Sequence, residues 1–154
     1  MTPQRQILPE VIAAILAEHP ECSILLIGSV ARGEERPENS DLDLNLFFPA
    51  EPGESKWVRP SNRWQLEVVS EHRGVRLDFA WETFEFLEAH LRTAGPFWIL
   101  SSGEVLHDPS GRLAPCLRLA QQWAAAHPEE CAKIEAEFRR AKARQQARYR
   151  GEEG

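Results

Sequence analysis

Two aspartates one residue apart, Asp41 and Asp43, open a segment that alternates polar and apolar side chains, Asp-Leu-Asp-Leu-Asn-Leu-Phe-Phe over 41–48. A period of two is that of a strand. Leu42, Leu44 and Leu46 therefore share one face, and Asp41, Asp43 and Asn45 the other. Two carboxylates about 4 Å apart repel by roughly 1 kcal/mol in water and about 4 kcal/mol at an effective dielectric of 20. A divalent cation offsets that cost, and magnesium favours a few carboxylates supplemented by substrate phosphates. A third acid, Asp78, lies on the polar face of a later segment whose Val75, Leu77, Phe79 and Trp81 share the opposite face. Together the three would complete a site for two ions about 3.5–4 Å apart. The register of the hairpin that holds Asp78 is not fixed by the pattern, and Glu67 is the alternative third acid.

Upstream, the short apolar run Cys-Ser-Ile-Leu-Leu-Ile over 22–27 ends at Gly28-Ser29. Its length and the glycine favour a buried strand turning into a short helix from Ser29 to about Glu35. Glycine lets a ligand approach the backbone closely. The first amides of a helix are unpaired donors at the positive end of its dipole, which makes a seat for phosphate. Ser29 can add a hydroxyl, and Arg32 and Arg36 follow closely enough to meet further phosphate charge, although both also read as surface charge.

This constellation resembles the signature of the DNA polymerase β-like nucleotidyltransferase superfamily: a Gly-Ser, a spacer of about ten residues (Val30 to Ser40 here), an Asp-x-Asp strand and a later strand aspartate. Small bacterial and aminoglycoside-type nucleotidyltransferases are the nearest in pattern, and the resemblance spans roughly 22–81. It implies that Gly28 and Ser29 form the phosphate-binding turn and that Asp41 and Asp43 bind metal. Asp78 would bind one metal and help deprotonate the acceptor. It further implies two magnesium ions and transfer of a nucleoside monophosphate from an NTP to a hydroxyl, with release of pyrophosphate. ATP is the first candidate donor, but the sequence does not separate it from CTP, GTP or UTP, and it does not name the acceptor. Small members of this superfamily also resemble antitoxins that bind, or transfer nucleotide to, a helical HEPN-type toxin, so a toxin partner is the alternative reading.

The elements that must position these residues follow from periodicity. Ile7, Leu8, Val11, Ile12, Ile15 and Leu16 predict a helix over 7–18, ended by His19-Pro20. Three prolines and a glycine make 49–62 a loop, in which Trp57 reads as packing or as a base-stacking ring. Strands are expected over 63–70 and 75–81 around a His72-Arg73-Gly74 turn. A helix follows over 82–93, stopped by Gly95-Pro96, then an edge strand at 104–107 and a turn at 108–111. Leu113, Cys116, Leu117, Ala120, Trp123 and Ala124 mark one more helix. His127-Pro128 breaks it, and Cys131, Ile134, Phe138 and Ala141 mark another. The expected fold is α/β, a nucleotidyltransferase fold with a mixed sheet, helices packed on one side and a C-terminal helical extension. The expected division is a core over 1–107 and the extension over 108–150.

The 154 residues suit a single domain, 42% hydrophobic and 27% charged. A net charge of −6 argues against general binding to nucleic acid. That charge is uneven: 133–150 carries seven Lys/Arg against two Glu, read as a solvated helix face. Cys22, Cys116 and Cys131 have no metal-ligand spacing and read as reduced, buried thiols of a cytoplasmic protein. No apolar run reaches the roughly 20 residues of a membrane span, so no membrane partner is expected. His72 reads as an exposed turn residue, and His90 and His107 as structural or solvated.

Overall fold

The computed structural model describes residues 1–93 and 98–149. A short helix, α1 (Pro3–Gln6), is capped by the Thr2 hydroxyl, which accepts from the Arg5 amide. After Ile7 the chain continues as α2 (Leu8–Glu18), which buries Leu8, Val11 and Ile15 and ends at His19. The strand β1 (Ser23–Ile27) is buried at every position. It runs into a single helical turn, α3 (Gly28–Ala31), shorter than the expected 29–35. The alternating segment forms β2 (Leu42–Phe48). A hairpin follows, β3 (Glu67–His72) and β4 (Val75–Thr83). Its two-residue turn, Arg73-Gly74, has φ of 49° and 82°, the paired positive values that match strand twist in tight hairpins.

The remaining elements are α4 (Phe84–Thr93), α5 (Trp98–Ser101), β5 (Glu104–His107), α6 (Leu113–Ala126) and α7 (Pro128–Tyr149). The expected Gly95-Pro96 stop lies outside the described residues, as does Arg150 at the end of the expected extension. Asp108 prepares α6, its carboxylate accepting from the Leu113 and Ala114 amides and from the Ser23 hydroxyl.

The five strands form one mixed sheet in the order β3-β4-β2-β1-β5. Only β2 and β4 run parallel; the other pairs are antiparallel. This is the expected α/β class with helices at its C-terminal end. The helices, however, cover both faces rather than one. Ile7, Val11 and Ile15 pack on Leu42, Leu44, Leu46, Leu77 and Phe79. On the other face, Leu25, Ile27 and Phe47 meet Phe84 and Leu87 of α4, Leu100 of α5 and Leu113, Cys116 and Ala120 of α6. The continuous apolar run of β1 has this physical cause: a strand buried on two faces needs cover on both.

The third strand starts at Glu67, four residues later than expected. Pro60–Asn62 instead forms a 3-10 turn, and buried Asn62 donates Nδ2 to Trp57 O at 2.9 Å and Phe79 O at 3.2 Å. Trp57 is 4% exposed and stacks on Phe79 at 5.3 Å, so it is a packing residue and not a ring open to a base. The three cysteines are free and buried. His72 meets Glu10 at 2.6 Å, and His90 lies against the rings of Trp64 and Phe86. Among the described residues no helix is long and apolar enough to cross a membrane.

Candidate active site

Strand register assembles the acids. In the parallel β2–β4 pair Asp43 lies directly opposite Asp78, and Leu42 opposite Leu77. Asp41, one residue before β2, therefore comes beside Arg76, whose Nε donates to Asp41 Oδ1 at 2.8 Å. The antiparallel pairing of Ile27 with Asp43 brings the end of β1 alongside. Gly28 follows immediately with φ of 75°, and a Cβ there would collide with the Asp43 carboxylate, whose Cγ would be only 3.1 Å away. Glycine is required both for the backbone turn and for the close approach of this acid.

One oxygen from each of Asp41, Asp43 and Asp78 lies within 4.8 Å of the others. Exposures of 2%, 2% and 0% put all three out of water. Glu67, the alternative, stays outside this cluster: it pairs with Phe79, and its carboxylate accepts from the Ser61 hydroxyl at 2.6 Å. Three carboxylates make a hard, all-oxygen donor set. Asp78 Oδ1 is buried with no hydrogen-bond partner, an arrangement costly enough to call for a further ligand. These residues fit a divalent cation.

Two cationic side chains that the sequence pattern did not single out reach the acids. Arg76 is two residues before Asp78 on the same strand face, and the period of two gives that signal. Lys142 comes from the middle of α7, and its Nζ lies 3.3 Å from Asp41 Oδ2, 3.1 Å from Asp43 Oδ1 and 2.7 Å from Asp78 Oδ2. Burial raises the Asp43 carboxyl to about 7, against the pull of Lys142 and with added repulsion from Asp78 and Asp41. Burial also raises Asp78, again opposed by Lys142. Lys142 is held above its ordinary value because the three carboxylates outweigh its own burial.

Beside the acids is a cavity of about 320 Å³ whose lining includes Ser29, Arg32, Arg36, Asp43, Arg139 and Lys142. Ser29, Arg32 and Arg36 thus share one cavity with an acid. Arg32 Nε is 3.2 Å from Glu34, and the Arg36 amide donates to the Ser40 hydroxyl at 2.7 Å. The loop that carries them is held from α1: buried Gln4 donates Nε2 to the carbonyls of Arg36, Pro37 and Ser40 at 3.2, 3.3 and 3.0 Å. No curated protein matches the chain. The family model for the nucleotidyltransferase domain matches residues 8–96, over half of the chain and the stretch that holds Gly28, Ser29 and all three aspartates; the chain belongs to that family.

Proposed function

We propose that the protein is a magnesium-dependent nucleotidyltransferase that moves a nucleoside monophosphate from an NTP, ATP first among the candidates, to a hydroxyl acceptor. The observation that carries this reading is the convergence of three buried carboxylates beside a glycine turn and an arginine-lined cavity. Asp41, Asp43 and Asp78 would hold magnesium, which when bound supplies neutralisation of triphosphate charge. Ser29, Arg32 and Arg36 would bind and orient the phosphates. The acceptor oxygen forms a bond to the α-phosphorus, the bond from that phosphorus to the bridging oxygen breaks, and pyrophosphate leaves. Asp78, whose buried Oδ1 has no hydrogen-bond partner, would take the acceptor proton. Positioning and charge compensation supply most of the rate gain. Free, buried thiols support a reducing, cytoplasmic setting.

The test is to incubate the protein with magnesium, each of the four labelled NTPs and a pool of metabolites and lysate proteins. Release of pyrophosphate with a labelled product is expected from the wild type. Asp41→Ala, Asp43→Asn and Asp78→Asn should each reduce it by roughly 100-fold or more, the scale of about 2.7 kcal/mol in a barrier. Asp78→Asn should spare NTP binding more than Asp41→Ala does. No release with any nucleotide, or release that survives all three substitutions, would overturn the reading.

A further inference from the structure

Lys142 approaches the acids as an inorganic cation would. Its ammonium lies within 3.3 Å of an oxygen of each aspartate, and its side chain is 17% exposed. An ammonium bonded to all three carboxylates and an ion gathered by the same carboxylates compete for the same lone pairs. Both together would also place a third positive charge beside Arg76 in a site closed to water.

The helix that delivers Lys142 is held to the core lightly. Of the described side chains of α7, only Cys131, near its start, is buried. Among the described residues, the charge contact from α7 to the core ahead of Lys142 is Arg139 with Glu34 at 3.1 Å, both about half exposed. Such a pair contributes roughly 0–1 kcal/mol. Ile134 and Phe138 are half-buried, so lifting the middle of α7 gives up part of their apolar burial, less than a fully buried stripe would cost.

We propose that Lys142 is a built-in occupant of the cation seat, that a divalent ion and Lys142 hold the three aspartates alternately, and that metal entry releases the middle of α7 from the core. This rests on the proposed reading of the three acids as a metal site. The metal-free protein keeps its acids compensated and closed, and α7 acts as a strap across the cavity until metal arrives. The released ammonium stays beside that cavity, which Arg32, Arg36 and Arg139 also line. If the Lys142-free state makes up about one part in ten of the metal-free protein, apparent metal affinity is lowered about tenfold.

The experiment uses manganese alone, without nucleotide, on wild type, Lys142→Gln, Lys142→Met and Asp43→Asn. Calorimetry reads affinity, and hydrogen exchange of the full-length wild type reads the backbone amides of 136–144 with and without the ion. The expected results are roughly tenfold tighter manganese binding by both Lys142 variants and faster exchange over 136–144 when wild type binds manganese. Equal affinity in wild type and the folded Lys142 variants would overturn the proposal while leaving the metal site standing. So would unchanged or slower exchange in wild type, a result that needs no variant. Absence of binding in every protein, or undiminished binding by Asp43→Asn, would instead remove the metal-site reading and the proposal with it.

Discussion

At Asp43, burial sets a cost on the ionised carboxylate. Burial lifts its carboxyl to about 7 in the folded protein, from an ordinary value of 3.8. Between those two values the native chain holds a proton that the unfolded chain has lost, so this residue's contribution is full below about pH 4 and disappears as pH rises through about 7. In EDTA, Asp43→Asn should therefore gain on the wild type between pH 5 and pH 8, reaching about 1–2 kcal/mol at pH 8. Thermal melts at the two pH values check this, and a difference independent of pH would mean that the ionised carboxylate carries no such cost. The residues of the site were unevenly legible. Gly28, Asp41, Asp43 and Asp78 stood out because a period of two and a glycine after an apolar run are local signals. Arg76 shared the polar face of Asp78 and was readable by the same rule. Lys142 was not, since it lies 64 residues beyond Asp78 and inside a basic run that has the look of a solvated face. Only tertiary packing turns one lysine of that run inward.

At the scale of elements, the acids are aligned by strand register, but the loop before Asp41 is held by side chains, chiefly Gln4 of α1. Gln4 satisfies three carbonyls between Arg36 and Ser40, and the Thr2 hydroxyl adds a bond to Glu35 at 2.8 Å. Gln4→Leu keeps a side chain of similar size but takes the donor from Ser40 O, whose bond is buried, while Arg36 O keeps the Asn39 and Ser40 amides; the cost is about 1–3 kcal/mol. It should also weaken manganese binding, because Asp41 is the residue that ends the loop. Melts and calorimetry on this one variant separate the two effects: lost stability with unchanged affinity would make Gln4 a fold residue only. Elements with one strong period were legible, as for β2, β4 and α2. The late start of β3 was not, because a buried Asn62 side chain takes backbone partners that sequence alternation would give to a strand. The cover on both sheet faces was present in the continuous apolar run of β1, yet a run of that length does not say which helices supply it.

For the whole molecule the charge division is the informative quantity. A chain of net charge −6 concentrates positive charge in its last helix and brings part of it to the acids. Ligand binding should then appear as a change in global stability, opposed in part by release of α7. With magnesium and a binding NTP the wild type gains RT ln(1 + L/Kd), where L is the free ligand concentration, about 2.7 kcal/mol at a hundredfold excess over Kd. For a protein of this size that is a rise in melting temperature of about 5–10 °C. Asp43→Asn should gain little, so the order of the two proteins in EDTA at pH 8 should reverse once magnesium and nucleotide are present. A strand face of solvated acids would instead keep the two within about 0.5 kcal/mol and indifferent to metal. Melts with each of the four nucleotides also rank them, so the donor is identified by the largest shift. If no nucleotide shifts the wild type while Asp43→Asn stays neutral throughout, the three acids are structural, and a binding module whose lysine strap never opens becomes the better account of this chain.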